Sequence, residues 1–209
     1  MENNVLKVMI WGTEAGRLYW NKERRKAFFT YSNDFLQKGL DIAPLTASIY
    51  SPLSQRGMAH SGNTDKLYAG LPEFIANSLP DRWGNDVFRQ WATARQIPIR
   101  HLTAVDRLAF IGKRSMGALE FEPAYEQDNE TFSVDLQSLY HLAQQVFTER
   151  QNVCLSQNIP LHLEGLYKIG TSAGGMRPKA IIAINEKTGD IRSGQADLPE
   201  NYTHFIIKF

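Results

Sequence analysis

One cysteine, Cys154, stands in 209 residues, and a lone thiol cannot close an internal disulfide. A reducing compartment and a buried structural cysteine are the expectation. No apolar run approaches the ~18 residues of a membrane span. The opening MENNVLKVMIWG has too short an apolar stretch, and no basic n-region, for a secretory signal. A cytoplasmic protein without membrane contact is therefore expected. A charge surplus is also lacking: 23 Lys+Arg stand against 22 Asp+Glu, net +1. That balance gives no global pull toward nucleic acid or an anionic surface. Internal repeats and low-complexity tracts are absent. The five histidines, His60, His101, His141, His162 and His204, never fall into H-x-x-x-H or Cys/His ligand spacing, so no metal site is expected. A G-x-S-x-G elbow is missing too, since Thr171-Ser172-Ala173 lacks its spacing.

What is present is an ordinary globular composition, 43% hydrophobic and 22% charged, over a length that suits one large domain or two small ones. Val5 to Trp11 reads as a strand running into a turn over Gly12–Gly16. Arg17 to Trp20 and Ala27 to Tyr31 read as strands around a charged hairpin tip, Lys22 to Lys26. Ser32-Asn33-Asp34 caps a short helix through Gly39. Ala47 to Tyr50 reads as a strand closed by Pro52, and Gln55 to Asp65 as a loop. Leu71 to Gln96 is the main helical segment. Pro80 interrupts it, and Asp81 caps a second helix with Val87, Phe88, Trp91 and Ala92 on its apolar face. Thr103 caps a third helix. Leu119 to Glu122 alternates and ends at Pro123, a strand. Tyr125 to Thr131 reads as a linker and Val134 to Glu149 as a helix. Lys179 to Asn185 and Thr203 to Phe209 read as strands, with a turn at residues 186–190. The four tryptophans fit core or interface anchors better than base-stacking platforms.

The richest local pattern is IGTSAGGMRPK, residues 169–179, just before an apolar run. Gly170-x-x-x-x-Gly175 satisfies half of a Walker A pattern, but Met176 stands where its lysine must be. Ala180 to Ile184 reads as a strand, not the helix whose amides a P-loop aims at phosphate. What remains is a glycine-rich loop joined to strands, as in protein kinase N-lobes, with a phosphate-pairing lysine on a later strand. Lys208, in Phe205-Ile206-Ile207-Lys208-Phe209, has that setting. An ammonium within an apolar strand wants an anion. An edge-strand lysine reaching solvent accounts for it equally well. Arg177 and Lys179 either serve the loop they close or flank the strand and pair with Glu or Asp.

Three stretches together carry a family resemblance: LPEFIANSLPDRWG (71–84), DRLAFIG (106–112) continuing through MGALEFEP (116–123), and SAGGMRPKA (172–180). In them the chain resembles the N-terminal half of HipA-like serine/threonine protein kinases, the toxins of bacterial toxin–antitoxin modules. The resemblance implies an α+β fold. A small N-terminal subdomain of antiparallel sheet plus helices (1–123) would be followed by part of a kinase-like N-lobe (132–209). It implies that Ser172 is autophosphorylated, placing roughly −1.5 to −2 charge where nucleotide phosphates should sit. It implies ATP with Mg2+ as cofactors, held by Ser172, Ala173, Gly174, Gly175, Met176, Lys179 and Lys208. A HipB-like antitoxin, with DNA met only through it, and an aminoacyl-tRNA synthetase as substrate are the implied partners.

A kinase also needs a catalytic Asp, a metal-binding Asn and a second metal-binding Asp. In the family these follow the ATP lysine, and this sequence ends one residue after Lys208. Asp81 to Asn85 imitates a catalytic loop but is one residue short, and reads as a helix cap. Catalytic and metal-binding residues are therefore expected in a C-terminal kinase lobe outside this chain. Two functions follow as expectations: the nucleotide-binding part of an ATP-dependent kinase, or a non-catalytic regulatory subunit of a split HipA-type system. Within the first, the Thr203–Phe209 strand is expected to leave an exposed edge prone to self-association.

Overall fold

Alternating apolar residues from Val5 to Tyr31 build an antiparallel meander. The computed structural model describes residues 5–115, 117–125, 134–148, 177–195 and 198–209. The fold is α+β, as expected, in two compact units. One unit is Met1–Leu79 with Leu102–Glu126; the other is Pro80–His101 with Gln127–Phe209. Residues 80–101, which the resemblance includes in the first 123, cluster by contacts with the second unit.

The first unit carries a five-stranded sheet, β1 (Val5–Ile10), β2 (Thr13–Asn21), β3 (Lys26–Tyr31), β4 (His60–Ser61) and β5 (Leu119–Glu122), in the order β4-β3-β2-β1-β5. Every pairing is antiparallel. Leu6, Val8, Ile10, Leu18, Ala27, Phe29, Tyr31 and Phe121 are buried. Helix α1 (Asn33–Gln37) is capped by Ser32 and adds Phe35 to the core. Helix α5 (Ala104–Ile111) opens with a Thr103–Asp106 capping box, two orphan amides satisfied reciprocally.

Four local expectations are corrected. The first reversal is not Gly12–Gly16 but Trp11-Gly12, both at positive φ (47° and 72°), and β2 resumes at Thr13. That is the backbone a two-residue primed turn demands. Ala47 to Tyr50 is no strand. The Asp41 carboxylate accepts from the amides of Ala43 and Ile49 and from Ser48 Oγ, 2.6 Å, so side-chain bonds replace a ladder. Pro52 opens α2 (Pro52–Gln55) behind a Ser51 cap rather than closing a strand, and β4 lies inside the expected loop. Tyr125 is no linker residue either: its hydroxyl donates to Asp106 Oδ1 at 2.6 Å and its amide to Ala109 O at 3.0 Å.

Backbones approach very closely where Gly62 and Gly70 meet Ala27. Gly62 N donates to Ala27 O and Ala27 N to Gly70 O, both 2.7 Å. A Cβ on Gly62 would lie 2.0 Å from Gly70 O and 2.9 Å from Ala27 O. Neither obstacle is a side chain that can swing away. Gly62→Ala is expected to destabilise this unit by ~2 kcal/mol or more, read as a lowered urea midpoint. An unchanged midpoint would refute the tight fit.

In the second unit, α3's successor α4 (Arg82–Ala94) buries Trp83, Val87, Phe88, Trp91 and Ala92; α3 itself (Glu73–Ala76) belongs to the first. A 3-10 turn, Ile99–His101, follows α4, and α6 (Leu136–Thr148) packs beside it with Leu139 and Ala143 buried. A three-stranded antiparallel sheet, β7-β6-β8, joins β6 (Lys179–Ile184), β7 (Ile191–Ser193) and β8 (Thr203–Lys208). Strand β6 contributes Ala180, Ile182 and Ala183 to the core.

Candidate functional site

Two lysines face each other at one end of this sheet. In the β6–β8 register Lys179 lies opposite Lys208. Phe209 N donates to Pro178 O at 3.0 Å, and Pro178 has no N–H to return the bond. The hydrogen-bonded pair is therefore 178/209, and Lys179/Lys208 is the close, non-hydrogen-bonded pair next to it. Directly opposed residues share one face of a sheet, and like charges placed so repel.

The fold resolves the repulsion from one side. Lys179 is 2% exposed, and its Nζ lies 3.0 Å from Asp81 Oδ2. Asp81 uses its other oxygen, Oδ1, to accept from Gly84 N at 2.6 Å, capping α4. Two residues on, fully buried Trp83 donates from Nε1 to Lys179 O at 3.0 Å. The first turn of α4 thus holds the first residue of β6 by side chain and by backbone. Lys208 is exposed and has no ion-pair partner among the described residues. Among the described residues, one carboxylate against two ammonium groups leaves this end of the sheet net positive.

Strand β8 is fixed at its start as well. Asp190 Oδ2 accepts from Tyr202 Oη at 2.5 Å and Arg192 Nε at 2.7 Å. The Tyr202 bond first, then the Arg192 bond, holds the Asp190 carboxyl below the usual carboxylate range. Tyr202 precedes Thr203, so this cluster sets where β8 enters the sheet.

Of the residues singled out from sequence, Lys179 and Lys208 are brought together. Arg177 is exposed. Ser172, Ala173, Gly174, Gly175 and Met176 lie outside the described residues. Asp81 is the expected cap, and Asn85 Nδ2 donates to Pro80 O at 2.8 Å and Asp81 O at 2.9 Å, so both groups are spent on the helix start. The pairing of Asp81 with Lys179 was open in the sequence only as a lysine paired with some carboxylate. The argument that a buried ammonium demands an anion applies to Lys179 more strongly than to Lys208. Trp11, grouped with core or interface anchors, is 75% exposed, whereas Trp83 and Trp91 are buried. Among the described residues no group of three His, Cys, Asp or Glu side chains could hold a metal ion, and no helix is long and apolar enough to cross a membrane.

A family model described as the HipA N-terminal domain matches residues 6–122. The search of curated proteins gives no match. Among solved structures, the chain is similar to one from the Shewanella oneidensis MR-1 toxin–antitoxin complex of HipA, HipB and operator DNA. The identity is 17% and the TM-score 0.49, over 90% of this chain and 37% of that one. This chain therefore spans well under half the length of that neighbour. Its family match, in contrast, runs over more than half of its own residues and takes in all five strands of the β1–β5 sheet but for Val5: the chain belongs to the HipA N-terminal domain family.

Proposed function

We propose that this chain is the N-terminal, nucleotide-binding part of a HipA-like ATP-dependent serine/threonine protein kinase toxin. The observation that carries the reading is the opposed lysine pair with a single counter-carboxylate, at the strand that leaves the glycine-rich segment. Its residual positive charge fits a polyphosphate. Exposed Lys208 is the cation that reaches phosphate oxygens. Lys179, tied to Asp81, frames the strand on which that cation stands. Ser172 and Ala173-Gly174-Gly175-Met176 supply the loop, and phosphate on Ser172 would place negative charge against ATP. Mg2+ bound with the nucleotide would supply charge neutralisation for phosphoryl transfer, and its ligands and the catalytic Asp would come from a kinase lobe outside residues 1–209. A HipB-like antitoxin restrains the toxin, and an aminoacyl-tRNA synthetase is the substrate class. These two partners rest on family resemblance.

Calorimetric titration of the full chain with ATP and Mg2+ tests the reading. Binding is expected, with a loss of ten-fold or more in Lys208→Met and an unchanged melting temperature. Equal affinity in the variant would sink it. No phosphoryl transfer is expected from this chain alone.

A second reading, a non-catalytic regulatory subunit of a split HipA-type system, is favoured by one observation. The family match falls on residues 6–122 and leaves out β6, β7 and β8. Absence of ATP binding together with tight association to a kinase core would select it.

A further inference from the structure

The first unit holds a cleft of about 190 Å³, remote in sequence from the lysine pair and lined by Thr46, Ala47, His60, Ser61, Asn63, Pro72, Glu73 and Phe74. Glu73 brings the one carboxylate among the described lining residues, while Thr46, Ser61 and Asn63 bring groups that both accept and donate. Glu73 accepts through Oε1 from Asn63 Nδ2 at 2.9 Å, and no cationic side chain of the described residues pairs with it. Among the described residues, no Lys or Arg lines the cleft.

The tautomer of His60 follows from its neighbour. Ser54 Oγ donates its single proton to Ser48 O at 2.7 Å, and it accepts from Ser51 Oγ at 3.0 Å. His60 Nε2, 2.8 Å from the same oxygen, must then be the donor. Nδ1 is left as an acceptor. Burial holds the His60 pKa below the ordinary imidazole value, so the ring is neutral at neutral pH. Beside it, 5.8 Å away edge-on, stands Tyr31, whose hydroxyl is pushed well up by burial first and by the Asp41 carboxylate second. The Asp41 carboxylate adds a negative charge near Tyr31, and among the described residues lining the cleft only Glu73 is a charged type at neutral pH.

A carboxylate, a neutral imidazole acceptor and two hydroxyls beside Pro72 and Phe74 suit one ligand chemistry. We propose that this cleft binds a guanidinium or alkylammonium group on an apolar stem. The donors of the cation meet Glu73, His60, Thr46 or Ser61 oxygen and nitrogen lone pairs, and Phe74 with Pro72 receives the methylene stem. The volume suits a side-chain-sized group and is below that of a drug-sized pocket, roughly 300–1,000 Å³. The cation comes from a free small amine or from the arginine or lysine of a protein partner.

Nitrogen-15 NMR titration of the full chain separates these sources. The probes are agmatine, N-acetyl-arginine N-methylamide and its neutral citrulline counterpart. Saturable shifts confined to the amides of His60, Ser61, Asn63 and Glu73 are expected with a cationic probe and not with citrulline. Tighter agmatine binding points to a free amine; tighter binding of the blocked arginine points to a partner's side chain. Glu73→Gln, which keeps an acceptor for Asn63, is expected to weaken binding at least ten-fold. Equal shifts from citrulline, or none from either cation, overturn the proposal on the unmodified protein, whatever the variant does.

Discussion

Trp83→Ala is expected to unfold the second unit rather than tune it. The indole is fully buried, and truncating such a side chain costs ~3–5 kcal/mol. The lost Nε1 bond leaves Lys179 O without its donor, for another ~1 kcal/mol or more. Total stabilities of ~5–15 kcal/mol leave little beyond that sum. Trp83→Phe keeps most of the bulk and loses the donor, so a cost of about 1–2 kcal/mol is expected. Hydrogen exchange reads both: amides of β6 and β8 should lose protection in the alanine variant while those of β1 to β3 keep theirs. Uniform protection across all five strands would show that Trp83 is not the unit's anchor.

The second large effect is an ordering. Asp81→Ala removes the α4 cap, ~1 kcal/mol, and strands an ammonium that is 2% exposed, ~3–5 kcal/mol. Asp81→Asn keeps a capping oxygen and loses only the ion pair. Lys179→Met should be milder still. Asp81 is 18% exposed and retains the Gly84 amide, so its charge is left near water at a helix N-terminus. The double variant Asp81→Asn with Lys179→Met buries no unpaired charge and should recover most of the Asp81→Asn loss. Denaturant midpoints on the four proteins measure a coupling energy directly. Additive losses would mean that the 3.0 Å contact carries no net interaction.

Much of the fold was legible because its signals are local. Thr103 and Asp106 sit three apart before an apolar run, and Asp81 follows Pro80, so caps and helix starts were readable. Leu119 to Glu122 alternates and stops at Pro123. Errors arose where a distant side chain replaced the ladder. Asp41 holds residues 43–49 in turns although Ala47 to Tyr50 looks extended. Strand β4 is two residues long, and only its pairing with Phe28 and Phe29 defines it. At the candidate site, the sequence attaches the demand of an ammonium for an anion to Lys208, yet Lys179 is the buried lysine and Asp81 its carboxylate. Which carboxylate depends on a contact spanning 98 residues, and nothing in local spacing encodes it. The contact of Trp83 with β6 is invisible for the same reason, since the sequence shows neighbours along the chain and not partners 96 residues apart.

The first unit's chain leaves after Leu79 and returns at Leu102. On the ribosome this connectivity has a temporal meaning. Synthesis at ~5–20 residues per second delivers the N-terminal end first. Helix α4 emerges before β5 can close the first sheet, and its indole waits for a partner 96 residues further on. For roughly 5–20 seconds, at that rate, the Trp83 indole has no strand β6 to donate to. The carboxylate and the indole that hold Lys179 are thus both made long before it, so this clasp is among the last contacts of the unit to become possible.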